Sequence, residues 1–290
     1  MGYNDIQDVR NAVTEGKITM TRNALLGMKY YEDFLDKMDR VEVERIRDIV
    51  SQTCLSRYPE SQLQAMGSFR RGEQSFGDVD ILIVNHRFQE TTPPNALMWL
   101  RDKLLEEGHI AHHLTDILAR PVRDDDMDYP LNPVQDGHSG VQTYMGIFNS
   151  PVHAGKKRRI DIKFYPYQCR AFAYIYFTGN TMFNRSIRMY ATKVKRLHLS
   201  DRALRPIVKT GHEVLTCGKN EDFTSNTSLK AESEQDVFEH LGLIYQEPTQ
   251  RDGFSAVIPK SDVNGTNTNT PSLGHLSENR TESNSSDDYF

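Results

Sequence analysis

The sequence lacks the features that place a chain in a membrane or on the secretory route. Its 290 residues contain no apolar run close to the length of a membrane span, and the N-terminus, MGYNDIQDVR, has no apolar signal core. Only three cysteines are present, and their scattered positions show no metal-type spacing. We interpret them as reduced thiols of an intracellular protein.

Strong positive charge is also missing. The net charge of −5 does not by itself indicate a nucleic-acid binder. Residues 252–290 contain six acids and two bases, so this end carries −4 and the rest of the chain −1. The same end is rich in Ser, Thr and Asn and poor in apolar residues, which predicts a disordered tail over 253–290.

The apolar periodicity predicts alternating strands and helices followed by a helical part. The predicted helices cover 4–13, 21–37, 40–55, 95–108, 168–179, 181–195 and 233–243. The predicted strands cover 63–69 (ending in a turn), 78–84, 115–120, 141–150 and 158–167, with a loop over 121–140. This order indicates an α/β core, of α+β type, and a second, helical lobe.

Two carboxylates stand at the start of an apolar strand. Asp78 and Asp80 are separated by one valine in GDVDILIV, and residues two apart on a strand point to the same face. Like charges so close repel each other unless a cation holds them. Magnesium is bound by such oxygens, and paired metal ions promote phosphoryl transfer.

A third carboxylate and a phosphate-binding turn complete the pattern. Asp161 lies between apolar residues on the predicted strand RRIDIKF, where aspartate is disfavoured. Before Asp78, Gly67 allows close backbone approach, Ser68 offers a hydroxyl, and Arg71 can hold two phosphate oxygens. An Asp-x-Asp pair alone is more often a solvated strand end, but the combination favours a site.

These segments resemble the X family of DNA polymerases, in particular its lambda and beta types. The resemblance is carried by GSFRRG followed by GDVDILI, and by RRIDIKF, YFTGN, FNRSIR and YQEPTQRD. It covers about residues 1–252 in unbroken order. It implies a nucleotidyltransferase palm with a mixed β-sheet over 40–166, a helical nucleotide-selecting thumb over 167–252, and a helical remnant of the DNA-binding fingers over 1–39.

The resemblance also implies roles for individual residues. Asp78 and Asp80 would bind two Mg²⁺ ions, with Mn²⁺ as the expected substitute, and Asp161 would bind the catalytic ion alone. The deoxynucleoside triphosphate would be bound through its phosphates and its sugar by Arg40, Gly67, Ser68, Arg71, Gly77, Tyr176, Phe177 and Gly179. Asn184 would reach the base edge, while Arg185 and Arg188 would contact the template strand of gapped or primed DNA.

The sequence also departs from the family pattern. The family's larger members have an N-terminal lyase domain, and this chain starts after it, so we expect no deoxyribose-phosphate lyase activity. The segment GYNDIQDVR resembles the end of the family's helix–hairpin–helix anchor without its glycine hairpin. Phe76 replaces a small hydroxyl residue that helps to bind phosphate in the beta pattern, and Thr181 stands where that pattern has an acid; both leave catalysis plausible. Lys163 replaces an arginine of the beta pattern behind the metal site.

Three functions stay open at this point. The first is a template-directed repair polymerase, expected to be monomeric and nuclear, with an organelle as the alternative. The second is a template-independent nucleotidyl transferase, against which Asn184 and Arg188 argue. The third is a non-catalytic module that binds DNA ends. Asp78, Asp80 and Asp161 argue against it, because a protein that only binds DNA gains nothing from three carboxylates that repel one another. The basic run in AGKKRRID fits a primer contact or a nuclear signal, and Asp124–Asp126 fit a solvated loop.

Overall fold

Three short helices form the N-terminal segment. The computed structural model describes residues 2–114, 140–210, 213–215 and 228–263. Helix α1 (Ile6–Thr14) begins after Asp5, whose side chain accepts a hydrogen bond from the Asp8 amide. The single helix predicted over 21–37 is wrong, because α2 (Arg22–Lys29) and α3 (Tyr31–Leu35) are separate. Tyr30 leaves helical geometry between them, and its hydroxyl lies 2.8 Å from His112 Nε2.

A five-stranded mixed sheet is the centre of the first lobe, in agreement with the predicted α/β fold. Its spatial order is β1–β2–β5–β4–β3, with β2 and β5 parallel and the other neighbours antiparallel. The strands are β1 (Ser61–Ala65), β2 (Asp78–Asn85), β3 (Ile110–His113), β4 (Gln142–Asn149) and β5 (Lys157–Pro166).

The two faces of the sheet are covered by different helices. Helices α4 (Arg40–Arg57) and α6 (Ala96–Glu106) cover the face that presents Val79, Ile81 and Ile83 of β2. The alternate residues of β2, Leu82 and Val84, pack with Ala173 of the second lobe. Because side chains alternate along a strand, Asp78 and Asp80 share this second face.

One predicted strand is partly a helix. The strand predicted over 63–69 ends at Ala65, and Gly67–Arg70 form the short helix α5. Gly67 has φ +54°, a conformation that glycine adopts without strain, and its carbonyl accepts a hydrogen bond from the Arg71 amide. The chain therefore turns sharply before the arginine pair.

In its described part, the second lobe consists of helices with two small hairpins. A 3₁₀ turn at Tyr167–Cys169 leads into α7 (Arg170–Thr178), which is followed by α8 (Thr181–Tyr190) and, farther on, α9 (Glu234–His240). The helix predicted over 181–195 continues past Tyr190 only as a wider turn, Ala191–Lys195. The hairpins were not predicted; their strands are β6 (Leu197–Leu199), β7 (Leu204–Pro206), β8 (Val208–Thr210) and β9 (Glu213–Leu215).

The end of the chain differs from the predicted disordered tail. Gly253–Ala256 form a 3₁₀ turn and Lys260–Val263 form α10, and Ala256 and Val257 are buried in the second lobe. The sequence GFSAVIP supplies apolar residues that the following segment lacks, which explains the packing. The strand predicted at 115–120, the acidic loop Asp124–Asp126 and the tail beyond 263 lie outside the described residues.

Two further sequence features can be checked in the structure. Cys54 and Cys169 are free thiols, and burial raises the pKa of each to about 11. Within the described ranges, no helix is both long and apolar enough to cross a bilayer.

Candidate active site

The parallel pairing of β2 and β5 brings two of the predicted carboxylates together. Asp80 is the register partner of Asp161, although the two residues are far apart in sequence. Asp78 lies two residues before Asp80 and on the same face of the sheet. The three aspartates predicted from the sequence therefore lie together, where the first residues of β2 pair with the middle of β5.

Burial and nearby negative charge make two of these carboxylates, Asp80 and Asp161, unusual acids. The pKa of Asp80 is raised to about 7, first by burial and then by the charges of Asp78 and Asp161, while Lys163 and Arg71 oppose the rise. Burial also raises the pKa of Asp161 to about 6, with Lys163 opposing it and Asp78 adding to it. Asp161 Oδ1 is buried without a hydrogen-bond partner. Such a group lacks a positive charge or a donor.

The three carboxylates fit a divalent cation by their chemistry. Hard cations such as Mg²⁺ prefer carboxylate oxygens, and the orphaned Asp161 oxygen offers one. In the described part of the chain, no three His, Cys, Asp or Glu side chains already stand in an ion-binding arrangement. A cation would thus have to draw the aspartates together while it relieves their repulsion.

Two cations from β5 face the carboxylates. Arg159, the register partner of Asp78, donates from Nη2 to Asp78 Oδ2 at 3.3 Å. Lys163 Nζ lies 3.9 Å from Asp161 Oδ2 and 4.6 Å from the ring centroid of Phe177. The pairing of Arg159 was missed from the sequence, because it requires the register of two strands that are distant along the chain.

The turn before β2 reaches the same place. A Cβ atom on Gly67 would collide with Asp80 Oδ2, so only glycine lets the backbone approach this carboxylate. Ser68, the next residue, is partly buried in α5. Gly77 lies between cations, since a Cβ there would be 3.6 Å from Lys37 Nζ and 3.7 Å from Arg159 Nη2.

The two arginines assigned to phosphate binding occupy different surroundings. Arg71 donates from Nη1 to the Thr178 carbonyl at 2.7 Å and from Nη2 to Glu73 at 2.5 Å. Arg40 lies over the Phe69 ring, 3.9 Å from its centroid, and pairs with Glu44 at 3.3 Å. It lines a cavity together with Arg47, Gly72 and Thr249. The phosphate-binding roles of both arginines stay predictions.

The predicted sugar and base residues meet around Tyr176. Asn184 donates from Nδ2 to the Tyr176 carbonyl at 2.7 Å, and the Arg188 guanidinium lies 4.8 Å from the centroid of the Tyr176 ring. Gly179, with φ +68°, follows α7, and a Cβ there would be 3.3 Å from Arg71 Nη1. Arg185 is exposed on α8. The hydrogen bond of Asn184 thus ties α8 to the end of α7.

A buried glutamate connects the two lobes and was not identified from the sequence. Glu234 of α9 accepts hydrogen bonds from Arg70 at 2.9 and 2.5 Å and from Arg251 Nη1 at 2.7 Å. Burial favours a raised pKa for Glu234, but the hydrogen bonds and charges of the two arginines outweigh it and lower the pKa. The first arginine of GSFRRG and the arginine of YQEPTQRD are the sequence signals for this contact, which forms only when the two lobes pack together.

Family models and curated relatives give a consistent assignment. The model described as DNA polymerase beta palm matches residues 37–167, and the model described as DNA polymerase beta thumb matches residues 173–252. DNA polymerase lambda of Rattus norvegicus is 34% identical over 251 residues, which are 87% of this chain and 38% of the relative.

Other relatives bear a second name. DNA nucleotidylexotransferase of Homo sapiens is 29% identical over 266 residues, which are 87% of this chain and 47% of the relative. DNA polymerase lambda of Arabidopsis thaliana is 26% identical over 250 residues, 86% of this chain and 42% of the relative. The chain spans less than half the length of these curated relatives. The two family matches, together covering most of the chain, show that it belongs to the DNA polymerase beta-like X family.

Proposed function

We propose that this chain is a template-directed DNA polymerase that adds deoxynucleotides to a primer 3′-hydroxyl during gap-filling DNA repair. The observation that supports this proposal best is the in-register pairing of Asp80 with Asp161, beside Asp78. Raised pKa values, such as those of Asp80 and Asp161, are typical of clustered carboxylates at functional sites. Relatives named DNA polymerase lambda support the same function.

Two Mg²⁺ ions are the proposed cofactor, and Mn²⁺ is the expected substitute. Asp78, Asp80 and Asp161 would hold them. When bound, the ions would stabilise the negative charge that develops on the attacking and leaving oxygens of the phosphoryl transfer. Arg159 and Lys163 would weaken the electrostatic repulsion among the aspartates, since each lies within 4 Å of a carboxylate oxygen.

The triphosphate would be held by the turn that precedes β2. Gly67 and Gly77 would present backbone amides, Ser68 its hydroxyl, and Arg71 and Arg40 their guanidinium groups. Arg71 supports this assignment because it lies close enough to lower the pKa of Asp80. A bidentate hydrogen bond from the Arg71 guanidinium to the departing pyrophosphate would become stronger as negative charge moves onto the leaving group.

The end of α7 and the exposed side of α8 would select the nucleotide. Tyr176, Phe177 and Gly179 would shape the sugar pocket, and Asn184 would donate to the minor-groove edge of the base, where acceptors occur on every pair. Asn184 and Arg188 lie four residues apart, so one helix face presents both. Arg185 and Arg188 would contact the template strand of gapped or primed DNA.

A template-independent transferase is the second candidate, because several relatives are named DNA nucleotidylexotransferase. Asn184 and Arg188 favour the template-directed reaction, since a base-edge donor next to a template-side cation tests a base pair. A non-catalytic module that binds DNA ends is disfavoured by the buried, mutually repelling aspartates. We further propose that the protein is a monomer that acts in the nucleus, with an organelle as the alternative.

Primer extension distinguishes these candidates. The chain is incubated with Mg²⁺ and each single deoxynucleotide on three substrates: a one-nucleotide gap, a primed template and a primer without template. We expect addition of the template-complementary nucleotide on the first two substrates alone. Equal addition to the lone primer would instead support the transferase, and no addition to DNA that is bound in a gel-shift assay would support the binding module.

A further inference from the structure

The segment Gly253–Val263, here called the C-terminal strap, lies beyond the residues matched by the thumb model but packs on the thumb. The Ile244 amide donates to the Ile258 carbonyl at 2.9 Å, and the Lys260 amide donates to the Gly242 carbonyl at 3.0 Å. Its first turn packs against α8, and Ala256 and Val257 are buried. The strap is therefore a fixed part of the lobe.

The strap holds an exposed aromatic ring beside the nucleotide-selecting helix. Phe254 is 47% exposed, whereas the apolar residues that follow it at 256 and 257 are buried. The preceding residue, Gly253, lies against α8, since a Cβ there would be 3.9 Å from Met182 Cβ. Met182 is itself 40% exposed. Two large apolar side chains, those of Phe254 and Met182, thus face solvent on adjacent segments of the thumb.

A cation extends this apolar surface. Met182 and Arg185 lie three residues apart on α8, so they share one side of the helix, and Arg185 is exposed. Aromatic rings beside cations bind unpaired nucleotides, because every base has a face that can stack and the cation attracts the phosphate. Duplex DNA offers only base edges and backbone to such a surface.

Asp252 makes this surface favour the base of a nucleotide over its phosphate. It is exposed next to the strap, and its Oδ1 lies 3.5 Å from Asn180 Nδ2. A carboxylate at this place repels phosphate, so the contact with DNA would be made through the face of a base, with Arg185 as the phosphate partner.

We propose that Phe254 and Met182, next to Arg185, stack against an unpaired base of the template strand. The strap would thereby add a single-strand contact to the thumb. This inference rests on the proposed polymerase function, which supplies a substrate with a single-stranded template segment. It concerns DNA binding and not the chemistry of nucleotide addition.

Tryptophan fluorescence tests the contact directly. The chain has one tryptophan, Trp99, so the double variant Trp99→Phe, Phe254→Trp reports only from the strap. It is titrated, without nucleotide or metal, with a primed template that has a 5′ single-stranded overhang and with the blunt duplex. We expect quenching by the overhang DNA and little change with the blunt duplex. Equal signals with both, or no change while labelled DNA is bound, would overturn the proposal.

Substitution of Phe254 gives an independent test. Phe254→Ala is expected to weaken binding to overhang DNA about 5-fold or more and to leave blunt-duplex binding and Tm unchanged. Phe254→Tyr should restore binding, and Phe254→Leu, which keeps apolar surface without a ring, should not. Leu105→Ala, a matched change at an exposed apolar residue of α6, should have no effect.

The outcomes separate this inference from the proposed function. Quenching by overhang DNA without any primer extension would refute the polymerase function and retain the stacking contact. Primer extension by a protein whose strap shows no preference for unpaired bases would refute the contact alone. A Phe254→Trp signal that follows protein concentration and not DNA would assign the surface to contacts between copies, and would also refute it.

Discussion

Arg70 and Glu234 join the palm to the thumb through two parallel hydrogen bonds of 2.9 and 2.5 Å. Arg70 belongs to the turn that approaches Asp80, and Glu234 opens α9, so the pair connects the carboxylate site to the thumb. Arg251, which is fully buried, completes the contact from the other side.

Removing the glutamate should destabilise the protein. Glu234→Ala leaves two arginines facing each other in a buried place, and breaking a buried ion pair on one side costs about 3–5 kcal/mol. We expect a lower Tm and a smaller free energy of unfolding in chemical denaturation. Glu239→Ala, at an exposed position on the same helix, is the matched control. Equal stability of the two variants would show that the ion pairs of Glu234 with Arg70 and Arg251 contribute little to the free energy of unfolding.

Asp161→Asn should abolish nucleotide addition and leave DNA binding largely intact. The substitution removes a partly buried carboxylate paired in register with Asp80, and we expect the rate of insertion to fall by at least about 100-fold, as when a group that stabilises transition-state charge is lost. Primer extension with Mg²⁺ and a parallel gel-shift assay measure the two effects. Asp48→Asn, at a surface acid of α4, serves as the control. Near-normal extension by Asp161→Asn would remove this residue from the site.

Arg71→Ala should impair nucleotide use more than DNA binding. We expect single-nucleotide insertion efficiency to fall by about 100-fold, with partial rescue by Arg71→Lys, which keeps the charge but not the fork. Arg71 also donates to the Thr178 carbonyl, so Tm must be measured for each variant. Arg87→Ala, which removes an exposed arginine paired with Glu60, is the control. Unchanged efficiency would mean that Arg71 is only a structural tie between the lobes.

Cation binding should become tighter as the pH rises through 6 and 7. The pKa values of Asp80, about 7, and Asp161, about 6, lie above the usual range near 4, so the metal-free native state keeps protons that the unfolded chain has lost. Metal-free stability should therefore fall as the pH rises from about 4 to 7. Since the cation binds the ionised carboxylates, the rise in Tm caused by Mg²⁺ should be larger at pH 8 than at pH 5.5.

A double variant provides the control for this pH dependence. Asp80→Asn, Asp161→Asn removes both raised carboxyl groups, so its metal-free stability should fall less between pH 4 and pH 7. Its Tm should also respond little to Mg²⁺ at either pH. A wild-type response to Mg²⁺ that is constant from pH 5.5 to pH 8 would contradict the assignment of these two groups to the cation site.

Local pattern was sufficient to predict the carboxylate strand. The alternation in DVDILIV places Asp78 and Asp80 on one face whatever the strand packs against, and β2 begins at Asp78 as predicted. The helix predicted over 40–55 was also found as α4. Its apolar residues Val43, Ile46 and Val50 are buried, because the helical spacing of apolar residues directly determines the buried side.

The remaining features depend on contacts between distant segments. The bond of Arg159 to Asp78 requires the register of two parallel strands, and that of Arg70 to Glu234 requires the packing of the lobes. The strap was assigned to a disordered tail because composition was averaged over 253–290, which hid the short apolar segment at its start. Gly67 was included in the strand predicted over 63–69, although helix α5 begins at this residue.

The register of β2 and β5 makes the site sensitive to insertions and deletions in an uneven way. A single residue added or lost within β5 would move Ile160 or Ile162 beside Asp80 and turn Asp161 toward the core under α4. A residue added in the exposed turn around His153–Gly155 would leave the strand and its buried side chains in place. Insertions and deletions among related sequences should therefore occur at this turn and be absent from β5.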